Sequence, residues 1–472
     1  MFNNLPNNRK IIYGAVQGME TYISIPEDLK LAVLEKIKPT EAERNELMAV
    51  QEELAAEVKA AAEKLRIPDI FVKMVGSAAR GTWLSGTHDI DVFISFPEET
   101  SREELEVKGM KIAREVAKHA EHAEDRHAEH PYLNITYKGF DVDLVPCFRV
   151  PSACQLKSAV DRTPFHNEFV KSRINGREDE VLLMKQFMRG GGVYGSELKT
   201  QGFSGYLTEL LIIHYGSFEK ALKAASSWKP GKKIDIMQHS ELKHDEPLVM
   251  VDPTDPKRNV AAALSLDKFC MFIDHCREFL KSPGIKFFFP ASPMPIEDKE
   301  FLEKLESRKS SQLAVVFETP DVVDDVLYPQ LYKMEQAVAS LASEYDFSVV
   351  KTGVWSGKPE TVIMLELISG TLPNVKKRIG PPVWVREHAE KFKAKYEGAE
   401  NVFGGYIEGG KYVFEVQRKY PTAKGLLEEQ LVNCSLGKHV HQSVSTGFEV
   451  LEDSEICRLK DQDFRVFLRK WV

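Results

Sequence analysis

No C-x-x-C pair occurs anywhere in the chain, and its six cysteines (Cys147, Cys154, Cys270, Cys276, Cys434, Cys457) fall into no zinc-like grouping with histidine. A metal-finger reading is therefore weak, and scattered thiols suit a reducing, cytoplasmic setting. Also missing are apolar runs near the roughly 18 to 20 residues of a membrane span and a charged-then-apolar leader. No membrane partner is expected. Nor is there a surplus of positive charge: 63 Lys and Arg against 71 Asp and Glu give a formal net charge of −8. Contact with nucleic acid would have to come from local basic surface rather than bulk charge. The opening MFNNLPNNRK is Asn-rich and patternless, so little fixed structure is expected before about Pro26, and Met19 is an alternative start.

What is present is ordinary folded-protein composition, 43% hydrophobic and 28% charged, in a length that implies about two to four domains. The most informative stretch is VGSAARGTWLSGTHDIDVFISF, Val75 to Phe96. Asp89 and Asp91 alternate with Ile90 and Val92, so a strand would set both carboxylates on one face, about 7 Å apart. Like charges that close repel, and a divalent metal ion is the simplest relief. A helix leads in from Thr40, with Glu43 completing a capping box and Leu47, Val50, Leu54, Val58 and Leu65 at helical spacing. A strand then ends at Gly76-Ser77. Downstream, after a helix from about Ser101 to His119, YLNITYKGFDVDLVPCF reads as two strands joined by a Lys138-Gly139 turn.

In the second of those strands Asp141 and Asp143 share a face, and the alternation alone does not separate them. Acids on neighbouring strands make a cluster able to hold two Mg²⁺ ions, an arrangement that polarises a phosphate and neutralises a departing pyrophosphate. Gly76 would let the backbone approach a phosphate, while Ser77 and Arg80 could supply a hydroxyl and a guanidinium to it. Taken singly, each acidic pair also fits a half-exposed edge strand, and Gly76-Ser77 a plain tight turn.

Residues 163–286 read as mainly helical. Val181, Met184 and Phe187 form an apolar stripe with Lys185 beside it, Gly190 to Gly192 mark a turn or flexible joint, and GFSGYLTELLIIHYGSF is a core helix with Phe203, Leu207, Leu211 and Tyr215 inside. WKPGKKIDI and DPTDPKRN read as loops. After the Pro-rich KFFFPASPMP the order is strand, helix, strand, strand, as in a ferredoxin-like half, then a helix near EHAEKFKAKY and two more strands. Its basic groups (Lys376, Lys377, Arg378; Lys391, Lys393, Lys395; Arg418, Lys419; Lys438, His439, His441) are interleaved with aromatics, which suits phosphate-backbone contact.

The G-S…D-x-D arrangement resembles the signature of the DNA polymerase beta-like nucleotidyltransferase superfamily. The ordered blocks VDLVPCF, SAVDRTPFH, VLLMKQFMRGGGVYGSE, GFSGYLTELLIIHYGSF and DPTDPKRNVAAALS make the chain, from about Pro39 onward, similar to the archaeal-type (class I) CCA-adding enzymes. The resemblance implies an α+β multidomain protein: an N-terminal extension, partly disordered (1–38), a polymerase-beta-like mixed-sheet catalytic domain (39–162), a mainly helical central domain (163–286) and an α+β, partly ferredoxin-like, tRNA-binding tail (287–472). It implies Asp89, Asp91 and Asp143 as ligands of two Mg²⁺ ions and favours Asp143 over Asp141. Relatives often carry Glu-x-Asp where this chain has Asp89-x-Asp91. Gly76, Ser77, Arg80, Lys185 and Tyr194 would hold the triphosphate, Thr163 the sugar, His166 the phosphate region and Arg258 the base. The implied substrates are CTP, ATP and tRNA lacking all or part of its CCA end, and a homodimer is compatible with the family. A poly(A) polymerase or oligoadenylate synthetase shares the catalytic set, and a non-catalytic RNA-binding protein could keep the fold.

Overall fold

Thr40 begins the first long helix as the sequence announces: its hydroxyl accepts the Glu43 N–H while the Glu43 carboxylate accepts the Thr40 N–H. A computed structural model describes residues 24–127, 129–241, 243 and 245–472. The expectations for the N-terminal residues before 24, including Met19, lie outside them. The chain divides after Pro290 into two units.

In the first unit, α1 (Glu27–Ile37) and α2 (Glu41–Lys64) precede β1 (Phe71–Val75), which passes through the short α3 (Gly76–Arg80) into β2 (Asp89–Pro97). Next come α4 (Arg102–Val116), β3 (His122–His127), β4 (Pro131–Tyr137) and β5 (Phe140–Arg149). The five strands form one mixed sheet, ordered β1-β2-β5-β4-β3, in which β2 and β5 run parallel and the other neighbours antiparallel. The β4–β5 turn is Lys138-Gly139, both at positive φ, a two-residue hairpin connection. Strand β3 was not expected: HAEDRH carries no apolar alternation and is held only as the outer strand on β4.

Alternation then splits β2 and β5 between two faces. Ile90, Val92, Ile94, Val142 and Leu144 join Leu54, Val58 and Ile112 in the core under α2 and α4. On the other face, Phe93, Val145 and Cys147 pack with Val75 in a small apolar cluster. Asp89, Asp91, Asp141 and Asp143 continue that second face.

The rest of the unit holds α5 (Thr163–Ile174), α6 (Glu178–Gly190), α7 (Gly205–Tyr215), α8 (Phe218–Ala225), a three-stranded sheet of β6 (Lys232–Ile234), β7 (Leu248–Asp252) and β8 (Asp255–Asn259), and α9 (Leu266–Lys281). DPTDPKRN, expected as loop, supplies the turn and β8; β8 is an edge strand, where Pro256 costs no interior ladder bond. Of the three glycines, Gly191 and Gly192 make the expected turn, with Gly192 at φ +65 and open space around it, while Gly190 and Gly191 are tightly packed. A Cβ on Gly190 would lie 2.0 Å from the Phe287 carbonyl oxygen and one on Gly191 2.8 Å from the His275 ring, so these positions serve close packing. Phe288 is buried in the same core.

The second unit comprises α10 (Asp298–Arg308), β9 (Ser311–Glu318), α11 (Asp324–Glu344), β10 (Val349–Ser356), β11 (Glu360–Leu367), β12 (Val375–Pro382), α12 (Arg386–Tyr396), β13 (Val402–Glu408), β14 (Lys411–Gln417), α13 (Ala423–Gln430), α14 (Lys438–Thr446), β15 (Phe448–Glu452) and α15 (Gln462–Trp471). It contains two antiparallel sheets, β10-β11-β9-β15 and β12-β14-β13. The α+β tail is as expected, with β12, β15, α10, α13, α14 and α15 added. Lys376, Lys377 and Arg378 lie on β12, and several of the tail's basic groups are paired within the protein: Lys376 and Arg418 with Asp346, Lys377 with Glu408, Lys391 with Glu387 and Lys419 with Glu429. Among the described residues no helix is long and apolar enough to cross a membrane.

Candidate active site

The parallel register of β2 on β5 sets Asp89 opposite Asp141 and Asp91 opposite Asp143, while β1 brings Val75 opposite Asp91. Gly76 follows at φ +77, and a Cβ there would fall 1.9 Å from Asp91 Oδ2. Burial raises the pKa of Asp91 to about 6, with the facing Asp143 adding to the rise and Arg80 opposing it. Burial likewise raises Asp89, helped by Asp141 and opposed by Arg189. Asp143 is raised by burial as well, though the Asn134 amide works against the rise. That amide donates to Asp143 at 2.8 Å and also to Asp141.

As they stand, no three acidic, His or Cys groups among the described residues converge on one point that could hold a metal ion. The donor chemistry nevertheless fits a hard divalent cation. The groups are all oxygen donors on one face, and three of them are destabilised as anions by burial and by one another. A cation between them removes that cost.

A second group forms where α6 and α7 meet α3. Lys185 is buried, and its ammonium donates to the Thr82 carbonyl at 2.7 Å. Burial pulls its pKa down to about 8, against the attraction of Glu209. Ser77 lies in α3, half-buried. Arg80, at the end of α3, is committed to a buried ion pair: Nε donates to Glu209 Oε1 at 2.9 Å, Nη2 lies 2.9 Å from Oε2, and Nη1 donates to Asn167 at 3.2 Å. Two of its five N–H groups thus donate hydrogen bonds that orient the fork. Tyr194 reaches the start of α7, where a Cβ on Gly205 would lie 3.1 Å from the Tyr194 hydroxyl and 3.7 Å from Lys185 Nζ.

The third group lines a cleft of about 790 Å³ that contains Thr163, His166, Ser204, Tyr206, Arg258 and Asn259. His166 is buried, stacked 4.1 Å from Tyr206, with Nε2 2.8 Å from Asp252 Oδ2. Arg258 Nη1 donates to the same oxygen at 2.9 Å. Burial works to raise Asp252, but the contacts from His166, the Thr254 N–H and Arg258 overcome it and hold the carboxyl below its usual range. Burial lowers the pKa of His166. Ser204 and Tyr206 line this cleft while Gly205 abuts Lys185 and Tyr194, so the first turn of α7 joins the second and third groups. Asp252, Tyr206, Glu209 and Arg189 went unrecognised in the sequence. Only Asp252, an acid ending the apolar run LVMV, offered a signal there.

Residues 55–166 match the family described as nucleotidyltransferase domain, 179–289 the tRNA nucleotidyltransferase second domain, and 308–453 the CCA-adding enzyme C-terminal domain. The chain is 89% identical over 454 residues to a CCA-adding enzyme of Methanosarcina mazei, covering 96% of this chain and 100% of that protein. It is 77% identical to the CCA-adding enzyme of Methanosarcina barkeri over the same shares. A CCA-adding enzyme of Halobacterium salinarum is 42% identical over 417 residues, 88% of this chain and 91% of its own. Identity that runs through the catalytic, central and tail segments alike decides against a poly(A) polymerase, an oligoadenylate synthetase or a non-catalytic RNA-binding protein: the chain belongs to the CCA-adding enzymes, a family of tRNA nucleotidyltransferases.

Proposed function

We propose that the protein builds and repairs the 3′-terminal CCA of tRNA from CTP and ATP without a template strand, on the face shared by β2 and β5. The tRNA 3′-oxygen attacks the α-phosphorus, the bond to the bridging oxygen breaks, and pyrophosphate leaves with that electron pair. Asp89, Asp91 and Asp143 would hold two Mg²⁺ ions, which when bound lower the pKa of the attacking hydroxyl and neutralise the leaving charge. Asp143 is preferred to Asp141 on the family pattern, since the parallel register sets each of them opposite one acid of β2. Lys185, Tyr194, Ser77 and the remaining N–H groups of Arg80 receive the triphosphate, with Gly76 keeping the backbone close. Thr163 and His166 position the sugar and the adjoining phosphate, and Arg258 meets the base edge from the cleft.

The same reading divides the labour between 39–162 for the chemistry, 163–286 for the nucleotide and 287–472 for tRNA, with the protein acting in the cytoplasm and able to form a homodimer. The observation that carries it is the β2–β5 register, which assembles the acids beside Gly76. Incubation with tRNA lacking CCA, with each nucleotide alone and in pairs, followed by product sequencing, tests it. One CCA per tRNA is expected. Long A tracts or no extension would refute it.

A further inference from the structure

Arg189 lies four residues beyond Lys185 on α6, one turn along the same side of the helix, and it is exposed where Lys185 is buried. Its guanidinium carbon sits 5.3 Å from the centroid of the Tyr194 ring, a cation–π placement that fixes an otherwise mobile side chain. Its charge acts on Asp89, on Lys185 and on Tyr194. Arg189 therefore stands within electrostatic reach of a catalytic carboxylate and of both groups that crowd Gly205. Among the described residues no carboxylate is ion-paired with it. A guanidinium held in place, unpaired, next to a buried ammonium and a phenol is a receptor for a compact polyanion, since it presents a fork of N–H donors and stays charged at every working pH.

We propose that Arg189 is a further substrate-binding residue, taking with Lys185 and Tyr194 the terminal phosphates of the incoming nucleotide and then the released pyrophosphate. The proposal rests on the nucleotidyl-transfer reading above and deepens it. When the 3′-oxygen bonds to the α-phosphorus and the bond to the bridging oxygen breaks, negative charge gathers on the departing β-phosphate, and a fixed positive charge there is favoured more after bond cleavage than before. Arg189 would then tighten both nucleotide entry and pyrophosphate retention, and its effect would be the same for CTP and ATP because it touches neither base.

The test compares the full chain with Arg189→Gln and Arg189→Lys. Binding of ATP and of inorganic pyrophosphate to the free protein is measured by calorimetry, and KM values for CTP, ATP and tRNA are measured in CCA addition. Arg189→Gln is expected to weaken ATP and pyrophosphate binding about tenfold each, to raise both nucleotide KM values by a similar factor, and to leave the tRNA KM unchanged, with Arg189→Lys recovering part of the loss. The exposure of Arg189 makes misfolding an unneeded explanation, and coincident melting curves check it. Unchanged ATP and pyrophosphate affinity, or a rise confined to the tRNA KM, which would make Arg189 a contact to the tRNA backbone, overturns the proposal. If the unmodified protein fails to add CCA, the proposed function fails, while the direct binding measurements still judge Arg189.

Discussion

Gly76 and Asp91 cannot both carry side chains on this face: a methyl group on Gly76 would stand 1.9 Å from Asp91 Oδ2, and the Gly76 backbone sits at φ +77. The first constraint is steric and the second conformational, and both point to glycine. Gly76→Ala should displace the Asp91 carboxylate and reduce addition of C and A alike by more than about a hundredfold, with a stability loss of about 1 to 3 kcal/mol. Primer-extension rates and thermal melting check the pair of effects. Near-full activity would show that the turn yields more readily than its geometry indicates.

Asp91 carries an opposite pull on stability and activity. Its folded pKa of about 6 lies above the ordinary 3.8, so ionising it costs the fold nothing below 3.8, progressively more between 3.8 and 6, and the full amount above 6. Asp91→Asn in metal-free buffer should therefore stabilise the protein at pH 7, by on the order of 2 kcal/mol, and hardly at all at pH 3.5. It should also abolish addition of both nucleotides. Asp89→Ala and Asp143→Ala should be inactive as well, whereas Asp141→Ala should retain substantial activity. A dead Asp141→Ala beside an active Asp143→Ala would reverse the assignment on β5.

What was legible in the sequence was local. The Thr40–Glu43 box, the Lys138-Gly139 turn and the alternation of acids with apolar residues on β2 and β5 are each written within a few positions, and each is present. The partners that tertiary packing supplies were not legible. Nothing within HAEDRH marks a strand, because its pairing comes from β4. Lys185 read as a residue beside an apolar stripe, yet docking of α6 against Thr82 buries it. The triple glycine suggested a turn or a flexible joint, and the turn is there, but the Phe287 carbonyl and the His275 ring that crowd Gly190 and Gly191 come from distant positions. Arg80 was expected to be available, but Glu209, 129 residues away, engages it first. The family pattern supplied what alternation could not, the choice of Asp143 and the interest in Arg258.

If Lys185 receives the triphosphate as proposed, it sets an alkaline limit on nucleotide binding. Burial brings its folded pKa to about 8 from 10.5, with Glu209 opposing the fall and Arg80 and Arg189 adding to it. The buried ammonium subtracts from stability below about pH 8, and that penalty fades as pH climbs toward 10.5. In binding the sign is reversed, because the charged form attracts phosphate. kcat/KM for ATP should fall above about pH 8, and Lys185→Met should lower the whole profile and remove that limb. A limb that persists unchanged in the variant would assign it to another group.

Arg258 is the base-selecting residue on this reading, and Asp252 holds it. One N–H goes to Asp252 Oδ2 at 2.9 Å, which leaves the rest of the fork for the Watson–Crick edge of a base in the cleft. Asp252 also fixes His166 through the same oxygen, so one buried carboxylate holds both side chains. Arg258→Ala should leave the triphosphate anchored by Lys185 and Tyr194 while relaxing the preference for C and A over U and G by roughly tenfold to a hundredfold, the worth of a lost bidentate contact. Asp252→Asn should relax it too, with a larger loss of stability, because removing the carboxylate charge weakens its contacts to both His166 and Arg258. Steady-state rates for CTP, ATP, UTP and GTP on tRNA ending at each step decide the matter: an unchanged ratio among the four in Arg258→Ala would make Arg258 a structural neighbour of Asp252 and leave base selection to other groups in the cleft.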